Sequence, residues 1–214
     1  ASGVIVRLSV LDASQQVVGS SDATSVAAND YVAQFHVTGL QANTRYQYKI
    51  DDRTNPTPVT LVEASPDRVF KTTLPTGTPG VVTTAFLSCA NNTSEGVNER
   101  MGLLGIDYLF LMGDTPYIDT SDLAVIRQKH RDYLRTPFLA SLIAKTPTVG
   151  VWDDHDFGLN NGNGVSFAAG KPNTLKAFVE YRAHDQYGTG TEGVYHKVDL
   201  GVMEVFMLDP RWFS

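Results

Sequence analysis

Apolar and polar positions along this chain follow two different rhythms. Residues 1–80 show short alternating runs rich in Val, Thr, Ser and Tyr. Alternation over four to eight residues is the period of a half-buried strand. It predicts strands at Val4–Val10, Tyr31–Val37, Arg45–Ile50 and Val59–Glu63, with turns at Ala28-Asn29-Asp30 and Asp51–Pro56. No helical period of useful length interrupts them. From Thr83 onward strands and helices alternate. Strands are expected at Thr83–Ser88, Tyr108–Met112 and Thr148–Trp152, and helices at Gly96–Leu104, Asp122–Arg135 and Phe138–Ala144. Ser121 is the expected N-cap of the second helix, and Asn173 that of a longer amphipathic helix reaching Tyr187. A hairpin of Tyr195–Leu200 and Val202–Leu208 around Gly201 completes the pattern.

These rhythms predict two domains. Residues 1–74 read as an all-β sandwich that looks shortened at its start. Leu74-Pro75-Thr76-Gly77-Thr78-Pro79-Gly80 holds two prolines and two glycines and reads as a linker over 75–80. Residues 81–214 read as an α/β domain with a mixed sheet. Both ends of the chain look like cuts through a longer protein.

Two apolar strands stop abruptly at clusters of hard ligands. Leu109–Met112 runs into Gly113-Asp114-Thr115-Pro116-Tyr117, and Val151-Trp152 runs into Asp153-Asp154-His155-Asp156. Ligands in open α/β sheets sit beyond the carboxyl ends of strands. Asp114 has two oxygens and can bridge two cations. Tyr117 can return a phenolate to the same point, a hard ligand suited to ferric iron. An ordinary Gly-Asp turn with a packed tyrosine would also satisfy this segment. Three carboxylates in four residues repel one another unless something screens them. Their place beside a buried strand, together with His155, favours a metal over a solvated loop. Asp153 reads as a helix cap or a partner behind the ligands. The Asn160–Gly164 stretch suits a mobile substrate rim. Cys89, at the end of the first strand of this half, is either a small core residue or a thiolate ligand. Ser88 lacks the surroundings of a serine nucleophile. Arg211, in Leu208-Asp209-Pro210-Arg211, offers a fork suited to phosphate or an ordinary pair with an acid. His36, His130, His184 and His196 have no ligand partners in sequence and read as structural or exposed.

Composition narrows the functional classes only slightly. The chain has 214 residues, 42% of them hydrophobic, and a net charge of −6 with no basic stretch. That disfavours a nucleic-acid or acidic-membrane surface. One cysteine rules out an internal disulfide framework. No run of eighteen apolar residues exists, so no membrane span is expected. No signal peptide opens the sequence.

Taken in order, these motifs resemble the alkaline phosphatase D family of metallophosphatases. The segment His36–Tyr48 also resembles a fibronectin type III corner, with Tyr46 as its tyrosine. That family joins a fibronectin-like N-terminal domain to a metallophosphoesterase domain of four-layer type, and the resemblance runs essentially the whole length of the chain. Gly-Asp-x-x-Tyr is similar to the purple acid phosphatase motif as well. The resemblance implies a phosphoric ester hydrolase, acting on monoesters or diesters through a metal-activated hydroxide at a dinuclear centre. Cys89 and Tyr117 would hold ferric iron. Asp114 would bridge to a second divalent ion of the calcium type, which Asp154 would also hold. His155 would contact phosphate and assist the leaving group, and Arg211 would bind phosphate oxygens. Two features depart from the family pattern: Asp119 stands where glutamate is frequent, and Ala90 and Asn91 follow Cys89 where glutamine is frequent. Further Asp and His ligands would come from a later segment of the same protein. Export to the periplasm or the extracellular space is implied in the same way. The partners expected are a small phosphate ester and that remaining C-terminal segment, with no stable nucleic-acid complex. The rival expectation is a non-catalytic binding or adhesion module carrying a degenerate phosphatase-like domain.

Overall fold

The structure is a computed structural model that describes residues 3–214. The chain divides into two compact units, Ala1–Pro75 and Thr76–Ser214.

The first unit is built on β1 (Val4–Leu11), whose buried Val6, Val10 and Leu11 face the core. It pairs antiparallel with β2 (Val17–Ser25) on one side and β3 (Arg45–Asp52) on the other. β4 (Val59–Val62) and β5 (Val69–Lys71) both pair with β3, giving one five-stranded antiparallel sheet. β2 is rich in Gly, Ser and Asp, so local propensity does not announce it; the ladder to β1 makes it a strand. Tyr31–Val37, expected as a strand, is irregular. Its Val37 and the following Leu40 lie over Gly19 of β2, where an added Cβ would meet Val37 at 2.8 Å. The segment therefore covers the face of β2 instead of extending its ladder. Tyr46 is buried, and its hydroxyl accepts from the Gln41 backbone N–H at 2.9 Å, closing the turn before β3. A second sheet is not among the described strands.

The second unit begins with three parallel strands, β6 (Thr84–Leu87), β7 (Tyr108–Met112) and β8 (Thr148–Val151), with β7 in the middle. Buried on both faces, β7 reads as an unbroken apolar run. α1 (Glu95–Leu103) connects β6 to β7; α2 (Leu123–Leu134) and α3 (Pro137–Ile143) connect β7 to β8. The cap of α2 is Asp122, which accepts from the Ala124 and Val125 N–H groups, one residue beyond the expected Ser121. After the short α4 (Asp154–Phe157) comes α5 (Lys171–Tyr181). The N-cap of α5 is Gly170, and Asn173 donates to the Ser121 carbonyl instead of capping the helix. It ends at Tyr181, short of Tyr187, because Arg182 turns extended and Tyr187 folds back to donate to the Arg182 carbonyl. β9 (His196–Asp199) and β10 (Glu204–Met207) form an antiparallel pair separate from the parallel sheet, so the strands expected in mixed sheets divide into one parallel and one antiparallel sheet. Gly201 between them takes a left-handed φ of 84°.

Trp152 is the centre of this unit's largest core. It is fully buried, with ring centroids 5.2 Å from Phe157, 5.1 Å from Phe178 and 6.0 Å from Trp212. Its indole N–H donates to Asp209 at 2.7 Å. Asp209 also accepts from the backbone of Val194, Arg211 and Trp212. This satisfied carboxylate ties the turn after β10 to the end of β8. Truncating an aromatic in such a position costs about 3–5 kcal/mol.

His130 on α2 is buried and stacks on Tyr181 at 5.1 Å. Burial, with Arg182 nearby, pushes its imidazole down to about 3. The unfolded chain takes up that proton near pH 6.5 and the folded chain does not, so neutral His130 contributes stability that is complete above pH 6.5 and lost as pH falls toward 3. Replacing His130 by Gln removes this dependence. In urea melts from pH 7 to pH 5, wild type should lose stability relative to H130Q by about 1.4 kcal/mol per pH unit once below 6.5. A gap independent of pH would contradict the assignment.

Candidate metal centre

All three parallel strands end at one place. β6 leads to Cys89, β7 to Asp114, and β8 to Asp154 at the start of α4. The turns after β6 and β7 leave the strand conformation sharply, with left-handed φ of 53° at Cys89, 105° at Gly113 and 55° at Asp114. For non-glycine residues such angles persist only where the surroundings enforce them, and they cluster at functional sites. At Gly113 no side chain fits, since an added Cβ would lie 2.4 Å from the Asp153 nitrogen. That close approach brings the β7 and β8 turns together. The Cys89 N–H donates to the Gly113 carbonyl at 3.2 Å, fixing the β6 turn to the same point.

The donor atoms meet as a result. Cys89 Sγ lies 3.5 Å from Asp114 Oδ2, and the Tyr117 phenol is close enough to both for them to act on its ionisation. Asp114, Asp154 and His155 each offer a ligand atom within 4.8 Å of the others. Asp114 belongs to both groups. The first offers thiolate, phenolate and carboxylate, a donor set that suits a ferric ion. The second offers carboxylates and an imidazole, suited to a hard divalent ion. Burial, together with the neighbouring Cys89 and Asp114, pushes the Tyr117 phenol up to about 12. A cation in their midst reverses that preference.

His155 and Arg211 sit at the rim. The Tyr117 and His155 rings lie 4.4 Å apart, and the His155 N–H donates to Asp114 Oδ1 at 3.3 Å. His155 Nδ1 is 2.6 Å from Asp119, a residue to which the sequence assigned no role. Partial burial opposes charge on the imidazole, but the Asp119 bond and the nearby Asp114 and Asp154 outweigh it and raise its pKa. With Nδ1 bound to Asp119, Nε2 is left to act. Arg211 pairs with Asp153 and reaches Asp154 at 3.4 Å. Burial works against ionisation of Asp154, yet the Asn161 N–H and Arg211 hold its carboxyl below the usual range.

Beneath the site, Asp156 is fully buried and burial pushes its carboxyl up to about 7. It accepts from the Asp153 N–H at 2.5 Å and the Thr115 N–H at 3.3 Å, while Arg182 donates to the Thr115 carbonyl. Asp153 is the N-cap of α4, in a capping box with Asp156. The capping spacing was visible in sequence, whereas the roles of Asp119 and Arg182 depend on contacts 36 and 67 residues away along the chain.

Of the six expected site residues, Cys89, Asp114, Tyr117 and Asp154 thus lie together, with His155 and Arg211 beside them. Residues 110–214, which hold all of these but Cys89, match the family model described as PhoD-like phosphatase. Among solved structures, one described as "Structure of PhoD" covers 99% of this chain with a TM-score of 0.81 and 21% identity, a likeness of fold. The match covers 46% of that chain, so this sequence spans about half its length. No curated protein matches. The family match lies on the segment that bears most of the converging ligands, and through its second unit the chain is similar to the PhoD-like phosphatases.

Proposed function

We propose that this chain carries part of the active centre of a phosphoric ester hydrolase, acting on phosphomonoesters or phosphodiesters. The observation that carries this reading is the convergence of Cys89, Asp114, Tyr117 and Asp154 beyond three parallel strand ends. Cys89 and Tyr117 would hold ferric iron and Asp154 a second divalent ion such as calcium, with Asp114 shared. When bound, such a pair of cations clamps a phosphoryl group and supplies a hydroxide nucleophile. His155, aligned by Asp119, presents its free nitrogen to a phosphate or leaving-group oxygen. Arg211, oriented by Asp153, presents guanidinium hydrogens to phosphate oxygens. Further ligands would come from a later segment of the same protein. In this reading the first unit is a fibronectin type III-like module, supported by the Tyr46 corner. Export remains part of the proposal; no described helix is long and apolar enough to cross a membrane.

Two measurements test this. Purified chain should bind near-stoichiometric iron and a second divalent ion, and hydrolyse p-nitrophenyl phosphate or its bis ester. Asp114→Asn should reduce both metal content and rate at least a hundredfold. Metal-free protein that regains neither metal nor activity when supplied with the downstream sequence would favour a non-catalytic binding module. Second, in metal-free protein His155 should titrate above the ordinary histidine range by NMR, and Asp119→Asn should lower its midpoint. An unchanged midpoint would remove Asp119 from the account.

A further inference from the structure

The loop between β7 and α2 carries two of the side chains on which the proposed centre depends, yet it has no regular structure of its own. Its backbone is held at nearly every residue. Ile118 is buried against Ile126 of α2 and Ala177 of α5. The Ile118 and Asp119 N–H groups both donate to the His155 carbonyl, at 2.9 and 3.0 Å. The carbonyls of Tyr117 and Ile118 both accept from one ammonium, Lys129 Nζ, at 3.1 and 2.7 Å. Lys129 lies one helical turn beyond Ile126 and so shares its face of α2. Peg and cation reach the loop from the same helix. On a helix surface a lysine head ordinarily runs out to water. Here it turns back to two neutral carbonyls, in hydrogen bonds strengthened by its charge.

Those carbonyls stand between the two functional side chains. The Tyr117 ring lies 4.4 Å from the His155 ring, with Cys89 and Asp114 close enough to act on its phenol. Asp119, with a left-handed φ of 52°, holds His155 Nδ1. Strained backbone of this kind survives only where its neighbours over-determine it. We propose that Lys129 is a positioning residue for the metal centre: by holding the Tyr117 and Ile118 carbonyls it fixes the loop that aims the Tyr117 phenol and the Asp119–His155 pair at one point. The inference rests on the metal-centre reading above. It adds a residue that touches neither metal nor substrate and acts through the backbone. Loss of such an outer partner lowers metal affinity about 10–100-fold in comparable sites.

The test uses the whole chain as wild type, Lys129→Met, Lys129→Gln and Lys129→Arg, with ferric iron and calcium titrated separately. Wild type should show a visible iron–phenolate band. K129M should bind ferric iron at least about tenfold more weakly, with a weaker band per bound iron, because the phenol is no longer aimed. K129R, which can still donate to both carbonyls, should recover most of both. A lysine that only ties α2 to the loop would lower the melting temperature of the metal-free chain and leave affinity and band per iron unchanged; that result overturns the proposal. If K129M does not fold, K129Q replaces it, and wild-type affinity and band in folded K129Q overturn it equally. If the wild type binds no iron, the comparison is repeated with the downstream sequence supplied; failure there too sinks the metal-centre reading, and this role with it, and is distinguishable because it appears before any variant is compared.

Discussion

Anionic groups placed within a few ångströms of one another repel, and in the second unit that repulsion is contained by backbone geometry. Cys89, Asp114 and Asp154 arrive from three parallel strands whose turns interlock: Gly113 lies against Asp153 with no room for a side chain, and the Cys89 N–H is bonded to the Gly113 carbonyl. The polar groups behind them are spent on holding these turns. Asp156 accepts from the Asp153 and Thr115 N–H groups, Arg182 and Lys129 donate to carbonyls of the 115–118 segment, and Asp209 fastens the Arg211 turn to Trp152. A site built this way pays its strain in advance, so that a cation entering it relieves repulsion without having to rearrange the protein.

The same arrangement explains why Trp152 is the most deeply engaged residue of its core. Its ring closes the aromatic cluster of Phe157, Phe178 and Trp212, while its indole nitrogen reaches Asp209. Arg211 follows Asp209 by two residues and meets Asp153 and Asp154, which directly follow Trp152. Core packing and rim charge are therefore parts of one connection. The register of the carboxylates at the end of β8 depends on the packing of Trp152, the residue immediately before them.

Much of this was legible in sequence wherever one local rule decided the outcome. Apolar β7 and β8 stopping at Asp-rich turns gave both the strands and the clustered ligands, because burial ends where charge begins. Tyr46 was placed by its turn. Other elements answer to partners far along the chain. β2 has the composition of a loop and becomes a strand through β1, whereas Tyr31–Val37 has the composition of a strand and is diverted to cover Gly19. The α5 helix continues in periodicity to Tyr187 but ends where Arg182 is drawn under Thr115. Asp119, Arg182 and Lys129 carry no local signal, since each is defined by the atom it reaches and not by the residues beside it.

The central proposal is that Cys89, Asp114 and Tyr117 would together hold one iron ion. X-ray absorption at the iron edge of the loaded chain tests it most directly. The account predicts one sulfur neighbour among oxygen neighbours, lost in Cys89→Ser, together with a phenolate contribution lost in Tyr117→Phe. A spectrum showing only oxygen and nitrogen neighbours, unchanged by Cys89→Ser, would contradict it.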